Sequence, residues 1–539
     1  MTLDDDIDRA AHQLLPDGAT LHPEQRRAVR SVLDRDTLVV LPTGSGKTLV
    51  YQLAASLLGG VTVVVSPTLS LQADQLAVLV DAGVRVAVVN GTVRATNRRK
   101  ILDDAVSGRL DVLIVTPEQV TGEDVLEPLT DADVRLVVVD EAHCVATWGV
   151  DFRPHYLALG AVVERLGRPR VLGLTATAPP RTRRAVAEAL GSPDMAVVVG
   201  NADRPEIHLA ARITSDEDGT EHALLRLIAE HEEEDGAMLV YAATRRRVDE
   251  LHEVVLAAGH VADRYHGGMR TAERKDVLHR FRAGTSLLVI ATSAFGLGID
   301  RPDVRRVVHV DPPESVDELW QEIGRAGRDG APASAVLLSR PGGYGLRRYF
   351  AAAAGASTDD LRAVTRALRR ADGPQRPAAI ARAAGLSTRR SRAALNVLSR
   401  AGAVLEGRSG TRLSTRDDTR TIVRRAEELR DSLRALQETE VDLVRRYAET
   451  DDCRRRLVLE LLGEAHPEPC GSCDSCVAGT STAASRRPFP LGAHVRHGTF
   501  GRGEVAQYEG DRVVVLFDDE GYRTLDLDLV ESEDLLVAV

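Results

Sequence analysis

A glycine-rich run near the start of the chain has the residues needed to hold a nucleotide phosphate. The run is LPTGSGKT, residues 41–48. Gly44 and Gly46 carry no Cβ, so backbone N–H groups could close around phosphate oxygens. Lys47 would reach the β- and γ-phosphates, and Thr48 would ligate Mg²⁺. Only three of the 69 Lys and Arg residues are lysines, which favours a specific need for the lysine in this loop.

Two adjacent acidic residues could act in a hydrolysis reaction. The run LVVVDEAH places Asp140 and Glu141 at the end of an apolar stretch typical of a buried strand. Asp140 could hold Mg²⁺, and Glu141 could orient and polarise an attacking water. An isolated Asp-Glu pair would more often be a solvated strand end. Its position after the phosphate loop favours nucleotide hydrolysis.

Four of the five cysteines are clustered with the spacing of metal ligands. They are Cys453, Cys470, Cys473 and Cys476, and the fifth is Cys144. Four thiolates can surround Zn²⁺ tetrahedrally at about 2.3 Å. The four thiolates leave no ligand position open, so the metal is predicted to be structural. An odd number of cysteines in a chain expected to be cytoplasmic argues against a disulfide framework.

Length and composition limit the class of protein. A chain of 539 residues predicts three or four domains. No apolar run approaches the roughly 18 residues of a membrane span, and the acidic start MTLDDDIDRA does not fit a signal peptide. We therefore expect a cytoplasmic protein without a membrane partner. The net charge of −11 decides little about nucleic acid, because binding depends on local patches.

Short apolar runs alternate with helical stretches through the first half of the chain. VTVVVSP, DVLIVTPE, VRLVVVDEAH and RVLGLTAT predict a parallel α/β sheet. A second alternation begins near Arg204 with AMLVYAATR, SLLVIATSAFGLGID and VRRVVHVDPP. It closes with QEIGRAGRDG, in which Arg325 and Arg328 would suit arginine fingers that face a γ-phosphate.

Seven runs in order resemble the motifs of superfamily 2 helicases: PTGSGKT, SPTLSLQADQ, TPE, DEAHC, TAT, AFGLGID and QEIGRAGRDG. DEAHCVATWGVDFRPHY resembles the aromatic-rich loop of the RecQ family of DNA helicases, which couples single-stranded DNA to ATP hydrolysis. The resemblance implies two RecA-like lobes, residues 1–203 and 204–345. It also implies an ATP- and Mg²⁺-dependent motor that moves 3′→5′ on single-stranded DNA and unwinds forked DNA in repair or recombination.

The resemblance assigns roles to individual residues, with Gln25 reading the adenine. The residues implied to bind ATP and Mg²⁺ are Gln25, Thr43, Gly44, Ser45, Gly46, Lys47, Thr48, Asp140 and Asp300. Those implied to act in hydrolysis are Lys47, Asp140, Glu141, Arg325 and Arg328. Those implied to contact DNA or to couple it to the nucleotide are His143, Trp148, Phe152, Arg153, Thr175, Thr177 and Gln321.

Residues 357–415 resemble a winged helix inserted before the cysteine cluster. The pattern is a helix, a turn at Gly385, a cap at Ser387, a second helix and a β-ribbon. Three arginines of the recognition-type helix could contact phosphates: Arg389, Arg390 and Arg392. The alternative is a three-helix packing module with a solvated arginine face.

The end of the chain is predicted to form two further modules. Residues 416–477 resemble the RecQ zinc-binding module, and the amphipathic helix 417–447 should pack on it. After a linker at 478–490, residues 491–539 resemble the SH3- or Tudor-like tail of UvrD/PcrA-type helicases. That resemblance implies a protein partner, for which we expect exposed groups to include Arg496, Tyr508 and Tyr522. The alternative is a tail that only caps the zinc module.

The favoured interpretation is a RecQ-type, ATP-dependent DNA helicase of the cytoplasm, associated with the nucleoid, with ATP, Mg²⁺ and Zn²⁺ as cofactors. An RNA helicase remains an alternative, because superfamily 2 lobes serve both nucleic acids. A DNA-binding regulator with a vestigial motor is a second alternative. The intact residues of the predicted ATP site argue against it.

Overall fold

The computed structural model describes most of the chain in two compact units. The described residues are 2–15, 20–42, 44–146, 154–232, 234–296, 299, 301–348, 356–407, 410–464, 466, 468–481 and 487–539. Five predicted site residues lie outside them: Thr43, Trp148, Phe152, Arg153 and Asp300. One unit comprises Met1–Asn201 with Ala354–Arg430, and the other comprises Ala202–Ala353 with Asp431–Val539.

A seven-stranded sheet forms the centre of the first unit. Its strands are β1 (Thr37–Val40), β2 (Val61–Val65), β3 (Val86–Val89), β4 (Val112–Val115), β5 (Val134–Val139), β6 (Arg170–Thr175) and β7 (Ala196–Val199). They pair in parallel in the order β3-β4-β2-β5-β6-β1-β7. Valine and leucine dominate these strands because helices cover both faces of the sheet. The predicted parallel α/β architecture is confirmed.

The elements around this sheet are mostly amphipathic helices. They are Leu3–Leu14, Pro23–Asp34, Lys47–Leu58, Leu69–Asp81, Ala95–Val106, Pro117–Val120, Glu123–Leu129, Pro154–Leu157, Leu159–Arg165 and Pro180–Ala189, with a 3₁₀ helix at Ala142–Val145. No helix among the described parts of the chain combines the length and the apolarity needed to cross a bilayer.

The second unit contains a six-stranded parallel sheet. Its strands are β8 (Ile207–Ile213), β9 (Ala237–Tyr241), β10 (Asp263–Tyr265), β11 (Leu288–Ala291), β12 (Val304–His309) and β13 (Ala333–Ser339), in the order β10-β11-β9-β12-β13-β8. The helices against it are Glu217–His231, Arg245–Ala257, Thr271–Arg282 and Val316–Ile323. This sheet confirms the second predicted lobe.

Residues 357–415 form a module of three helices and a hairpin, which belongs to the first unit. The helices are Thr358–Arg369, Pro377–Ala384 and Thr388–Arg400, followed by the antiparallel strands β14 (Val404–Gly407) and β15 (Gly410–Leu413). Gly385 ends the second helix in the left-handed conformation, and the Ser387 side chain caps the third. The predicted turn and cap are confirmed, and the winged-helix assignment stays a prediction.

The helix Thr419–Glu449 matches the predicted helix 417–447 in length and is shifted by two residues. Its first turns, with Ile422 and Ala426, pack into the core of the three-helix module. Its last turns, with Val444 and Tyr447, pack with the cysteine-bearing segment. At 1.5 Å per residue a helix of 31 residues spans about 46 Å, more than one small module. The prediction that it packs on the zinc module is confirmed for its last turns.

Two short helices, Arg454–Leu461 and Asp474–Val477, are followed in the chain by an antiparallel sheet. The strands are β16 (His494–His497), β17 (Gly501–Glu509), β18 (Arg512–Phe517), β19 (Gly521–Asp526) and β20 (Leu536–Ala538), with a helix at Leu527–Ser532. Their order is β19-β18-β17-β16-β20. The predicted antiparallel β-structure of the tail is confirmed, but the helix Leu527–Ser532 was not predicted, and the SH3- or Tudor-like assignment stays a prediction.

This tail is bonded to the zinc-binding segment. The buried Glu460 carboxylate accepts the Tyr508 N–H at 3.0 Å and pairs with Arg487 at 2.5 Å. The Tyr522 N–H donates to Thr439 Oγ1 at 3.2 Å. The prediction of an exposed Tyr508 is wrong: its side chain is 1% exposed. The Tyr508 ring lies under the Arg487 guanidinium, and its hydroxyl donates to the carbonyl of residue 489 at 2.8 Å.

Replacing Gly521 by Ala is expected to destabilise the second unit by about 1–3 kcal/mol more than replacing Gly510 by Ala. Both glycines have positive φ, 70° and 51°, so both variants carry the cost of a left-handed alanine. At Gly521 the added Cβ would lie 2.6 Å from Thr439 Oγ1, whereas nothing lies within 4 Å at Gly510. Thermal unfolding measures both variants. Equal shifts in the unfolding midpoint would contradict the packing of the tail on the helix Thr419–Glu449, which carries Thr439.

Candidate nucleotide site and metal centre

Three neighbouring strands of the first sheet bring the predicted nucleotide residues to one edge. β5, β6 and β1 are adjacent and parallel, so their carboxyl ends lie side by side. Asp140 follows β5, Thr175 ends β6, and the phosphate loop follows β1. This is the edge at which open α/β sheets bind ligands.

The described part of the phosphate loop folds around its own lysine. Gly44 and Gly46 take positive φ values of 81° and 72°, a conformation that glycine adopts without a Cβ penalty. Lys47 Nζ donates to the carbonyl oxygens of Leu41 at 3.0 Å and Pro42 at 3.2 Å. The ammonium is therefore held within the loop, where a phosphate would meet it.

Gln25 lies directly on this loop. Its Nε2 donates to the Ser45 carbonyl at 2.8 Å, and its Oε1 accepts the His22 N–H at 2.9 Å. An added Cβ at Gly46 would stand 2.6 Å from Gln25 Nε2, so the Gln25 amide would have to move for a larger residue to fit. The structure brings the predicted adenine-reading residue to the loop, and adenine recognition itself stays a prediction.

Asp140 is a buried carboxylate that suits a divalent cation. It accepts hydrogen bonds from Gln75 Nε2 at 2.8 Å and from the Glu141 N–H at 3.0 Å. Burial, followed by the charge of Glu141, raises the pKa of Asp140 to about 7, while Lys47 opposes the rise. A cation bound beside this carboxylate would favour its ionised form. The residue therefore fits the Mg²⁺ ligand that the sequence predicts, with Thr48 on the first turn of the neighbouring helix.

His143 joins the acidic motif to the TAT motif. Its Nδ1 lies 3.3 Å from Glu141 Oε2 and 3.0 Å from Thr175 Oγ1, and Thr175 Oγ1 donates to the Thr177 carbonyl at 2.8 Å. Burial disfavours the charged imidazole, but Cys144 and Glu141 hold the pKa of His143 well above its usual value. Four predicted residues thus form one hydrogen-bonded chain.

Two glutamines that were not among the predicted site residues support this site. Gln75 binds Asp140, and Gln72 Nε2 donates to the Ser66 carbonyl at 3.1 Å while its Oε1 accepts from Asn90 at 3.0 Å. Both glutamines are buried on the helix Leu69–Asp81. The sequence feature that could have predicted them is the pair of glutamines in SPTLSLQADQ, which lie one helical turn apart on an otherwise apolar face.

The predicted arginine fingers lie on a braced turn of the second unit. Arg325 donates to the Gly296 carbonyl, and Arg328 Nη1 donates to the Ile299 carbonyl at 2.7 Å. Arg204 supports the same turn by donating to the carbonyls of Gly324 at 2.9 Å and Ala326 at 2.7 Å. These contacts tie the GRAGR turn to the described part of the AFGLGID motif. Gln321 lies on the preceding helix, Val316–Ile323.

The four clustered cysteines fit a tetrahedral metal site. All four sulfur atoms lie within 4.8 Å of one another, and Cys470 Sγ is 3.8 Å from Cys476 Sγ. A tetrahedron with metal–sulfur bonds of about 2.3 Å has sulfurs about 3.8 Å apart. The N–H groups of Cys470 and Cys473 donate to cluster sulfurs, each at 3.3 Å. The set matches the zinc ligands that the sequence predicts.

Buried arginines attach the metal site to the second sheet. Arg455, 1% exposed, pairs with Asp203 at 2.6 Å and donates to the Ile207 carbonyl at 2.6 Å. Arg454 pairs with Asp474 at 2.6 Å, and Asp474 accepts the Ala211 N–H at 2.9 Å. The metal centre therefore supports strand β8 and the residues 203–207 that lead into it, as a structural site would.

Comparison with protein families assigns three parts of the chain. The DEAD/DEAH box helicase model matches residues 22–186, the helicase conserved C-terminal domain matches residues 219–330, and the RecQ zinc-binding model matches residues 416–477. The three matches fall on the first sheet, the second sheet and the metal centre.

Curated relatives extend these matches. The chain is 36% identical to the probable ATP-dependent DNA helicase RecS of Bacillus subtilis, over 65% of this chain and 70% of the relative. It is 32% identical to the ATP-dependent DNA helicase RecQ of Synechocystis sp., over 83% and 92%. RecQ of Pasteurella multocida is 35% identical over 58% of this chain, but only 49% of that relative is covered.

Among solved structures, the DUF1998 helicase MrfA bound to DNA and AMPPNP superposes with a TM-score of 0.54. The identity is 21%, over 65% of this chain and 53% of that chain. At this identity the likeness concerns the fold.

Cys473→Ser is expected to remove the bound zinc and to lower the thermal unfolding midpoint of the second unit, because a structural metal supplies folding free energy. Cys144→Ser is the matched control, since Cys144 lies outside the cluster, and it should retain one zinc per chain. Metal analysis and thermal unfolding measure both effects. A fully folded wild-type protein with less than one zinc per chain would contradict the assignment.

Proposed function

Because this chain belongs to the RecQ family of DNA helicases, we propose that it hydrolyses ATP to move 3′→5′ along single-stranded DNA and to unwind duplexes, including forks. The observation that carries the proposal is the hydrogen-bonded chain from Glu141 through His143 to Thr175, beside the phosphate loop. The named DNA helicases among its relatives support DNA over RNA. A role in repair or recombination would place the protein on the nucleoid.

The proposed chemistry uses residues at one sheet edge of the first unit and two arginines of the second unit. Lys47 would bind the β- and γ-phosphates, and Asp140 with Thr48 would hold Mg²⁺. Mg²⁺ neutralises charge on the phosphates when bound. Glu141 would orient the attacking water and accept its proton, and its contact with His143 would keep the carboxylate in place. For Arg325 and Arg328, the proposed role is to stabilise the charge that develops on the γ-phosphate.

The remaining assignments concern contacts with DNA. Trp148, Phe152 and Arg153 would stack on bases of the single strand without sequence preference. Thr175 and Thr177 would relay the presence of DNA to His143, to which Thr175 is bonded. Asp300 and Gln321 would act at the nucleotide and the DNA, respectively, from the second lobe.

Lys47→Ala and Glu141→Gln are each expected to lower DNA-stimulated ATP hydrolysis by roughly 100-fold or more, because each removes a group that acts on the reacting phosphate or water. Unwinding of a forked duplex should be lost with it, while DNA binding stays close to wild type. Lys100→Ala is the matched control, since it removes an exposed lysine from the same unit.

ATPase and unwinding assays with DNA and RNA oligomers of one sequence decide the outcome. Undiminished unwinding in either variant would contradict the assignment. Stimulation by RNA alone would favour the RNA helicase, and tight sequence-specific duplex binding without ATP turnover would favour the regulator.

For the tail, we propose a protein partner of basic character that binds the surface facing solvent. Asp518 and Asp519 are exposed at the turn between β18 and β19, and Arg496 is exposed on β16. Tyr508 is excluded from this surface by its burial. Negative charge on an exposed turn repels phosphate and attracts a cationic surface.

Asp518→Lys combined with Asp519→Lys should abolish the binding of such a partner while leaving ATP hydrolysis and unwinding near wild type, because neither residue belongs to the motor. Quantitative capture from cells compares the variant with the wild type, and ATPase assays run in parallel. Identical capture by both proteins would contradict the partner surface and leave the tail as a cap on the zinc module.

A further inference from the structure

Residues 357–415, here called the basic module, carry a charge opposite to that of the chain. The segment holds twelve arginines against four acidic residues, whereas the whole chain has a net charge of −11. Arg389 and Arg392 are exposed in the first half of the helix Thr388–Arg400, while Arg390 pairs with Asp360 at 2.6 Å. A concentrated positive charge of this kind attracts the phosphate backbone of nucleic acid.

The other end of the same helix packs on the nucleotide-binding part of the first unit. The helix Thr388–Arg400 contacts the helix Pro154–Leu157. Arg400 Nη2 donates to the Ala146 carbonyl at 3.4 Å. Ala146 is the C-cap of the 3₁₀ helix Ala142–Val145, which carries His143. One helix therefore presents arginines to solvent at its start and contacts the segment next to the ATP site at its end.

Arg400 is held there against an electrostatic cost. Burial, and then the positive charge of Arg181, lower the pKa of Arg400 to about 10. An arginine kept in such surroundings is costly to retain for packing alone. Its guanidinium donates to a backbone carbonyl, a directional contact that an apolar side chain cannot make.

The helix Pro154–Leu157 is in turn bonded to the catalytic acid. Tyr156 is fully buried, and its hydroxyl donates to the Asp140 carbonyl at 3.0 Å. That carbonyl belongs to the peptide that leads into Glu141, a non-glycine residue with φ 48°. A left-handed backbone at such a residue is strained and is sustained only by its surroundings. The orientation of Glu141 therefore depends on contacts such as this one.

We propose that the basic module senses the phosphate backbone of DNA and transmits its binding to the ATP site through Arg400 and Tyr156. The two side chains hold Ala146 and Asp140, the two ends of the segment that carries Glu141 and His143. Arg400 and Tyr156 are positioning residues, since they act through these backbone groups. The inference rests on the proposed function and adds to it the element that sets how strongly DNA stimulates hydrolysis.

The test compares Arg400→Gln and Tyr156→Phe with Arg412→Gln in the full chain. Arg412 is an exposed arginine on β15 of the same module, so its variant removes the same charge without the contact. The measured quantity is the ratio of ATP hydrolysis at saturating DNA to hydrolysis without DNA. Loss of one hydrogen bond predicts a ratio roughly three- to tenfold lower in the first two variants, with Arg412→Gln within about twofold of wild type.

Saturating DNA separates coupling from affinity, and fluorescence anisotropy confirms saturation for each variant. Arg400→Lys, which keeps the positive charge and a donor nitrogen, should recover part of the ratio. Circular dichroism and thermal unfolding identify variants that fail to fold. If Arg400→Gln does not fold, the ratios of Arg400→Lys and Tyr156→Phe still decide the outcome.

Ratios for Arg400→Gln and Tyr156→Phe that equal those of Arg412→Gln would overturn this inference while DNA stimulation of the wild type stands. A wild type that DNA does not stimulate would overturn the proposed function, and this inference with it. The two failures are therefore distinguishable in one set of assays.

Discussion

A buried carboxylate at the end of a sheet strand is the constraint on which the nucleotide site depends. Asp140 lies at the junction of β5 with the acidic motif and is only 7% exposed. Its charge is tolerable only with hydrogen-bond donors and positive charge around it. Gln75, the Glu141 N–H and Lys47 supply these from three different elements. The phosphate loop, the helix of Gln75 and the acidic motif are therefore held together by one electrostatic requirement.

Arginine fills structural positions throughout this lysine-poor chain. The guanidinium offers five donors in a fixed plane, so one side chain can bind a carboxylate and a carbonyl at once. Arg455 does this between Asp203 and the Ile207 carbonyl, and Arg301 does it between Asp303 and the Ser286 carbonyl. The Arg455 contacts join the metal centre to strand β8, and the Arg301 contacts hold the segment that follows the AFGLGID motif. Of the three lysines, Lys47 is the one in the phosphate loop.

The buried Glu460 shows why the tail belongs to the second unit. A carboxylate without water needs partners, and the Tyr508 N–H and Arg487 provide them from beyond the zinc-binding segment. Removing those partners would leave an uncompensated charge, which costs several kcal/mol. The polar residues 478–490 read as a linker in the sequence, yet Arg487 makes this tertiary pairing. Composition alone does not distinguish a linker from a segment with one specific ion pair.

The sequence by itself determined the two parallel-sheet lobes, the phosphate loop, the acidic motif and the four-cysteine cluster. Each is encoded locally, by strand periodicity, by glycines at positive φ or by ligand spacing. Only the tertiary structure decided that Gln75 binds Asp140, that Tyr508 is buried and that the basic module belongs to the first unit. These facts depend on pairs of residues far apart in the chain, such as Arg400 and Ala146. The sequence around one residue of such a pair does not indicate its partner, because the pairing arises only when the helices and strands pack together.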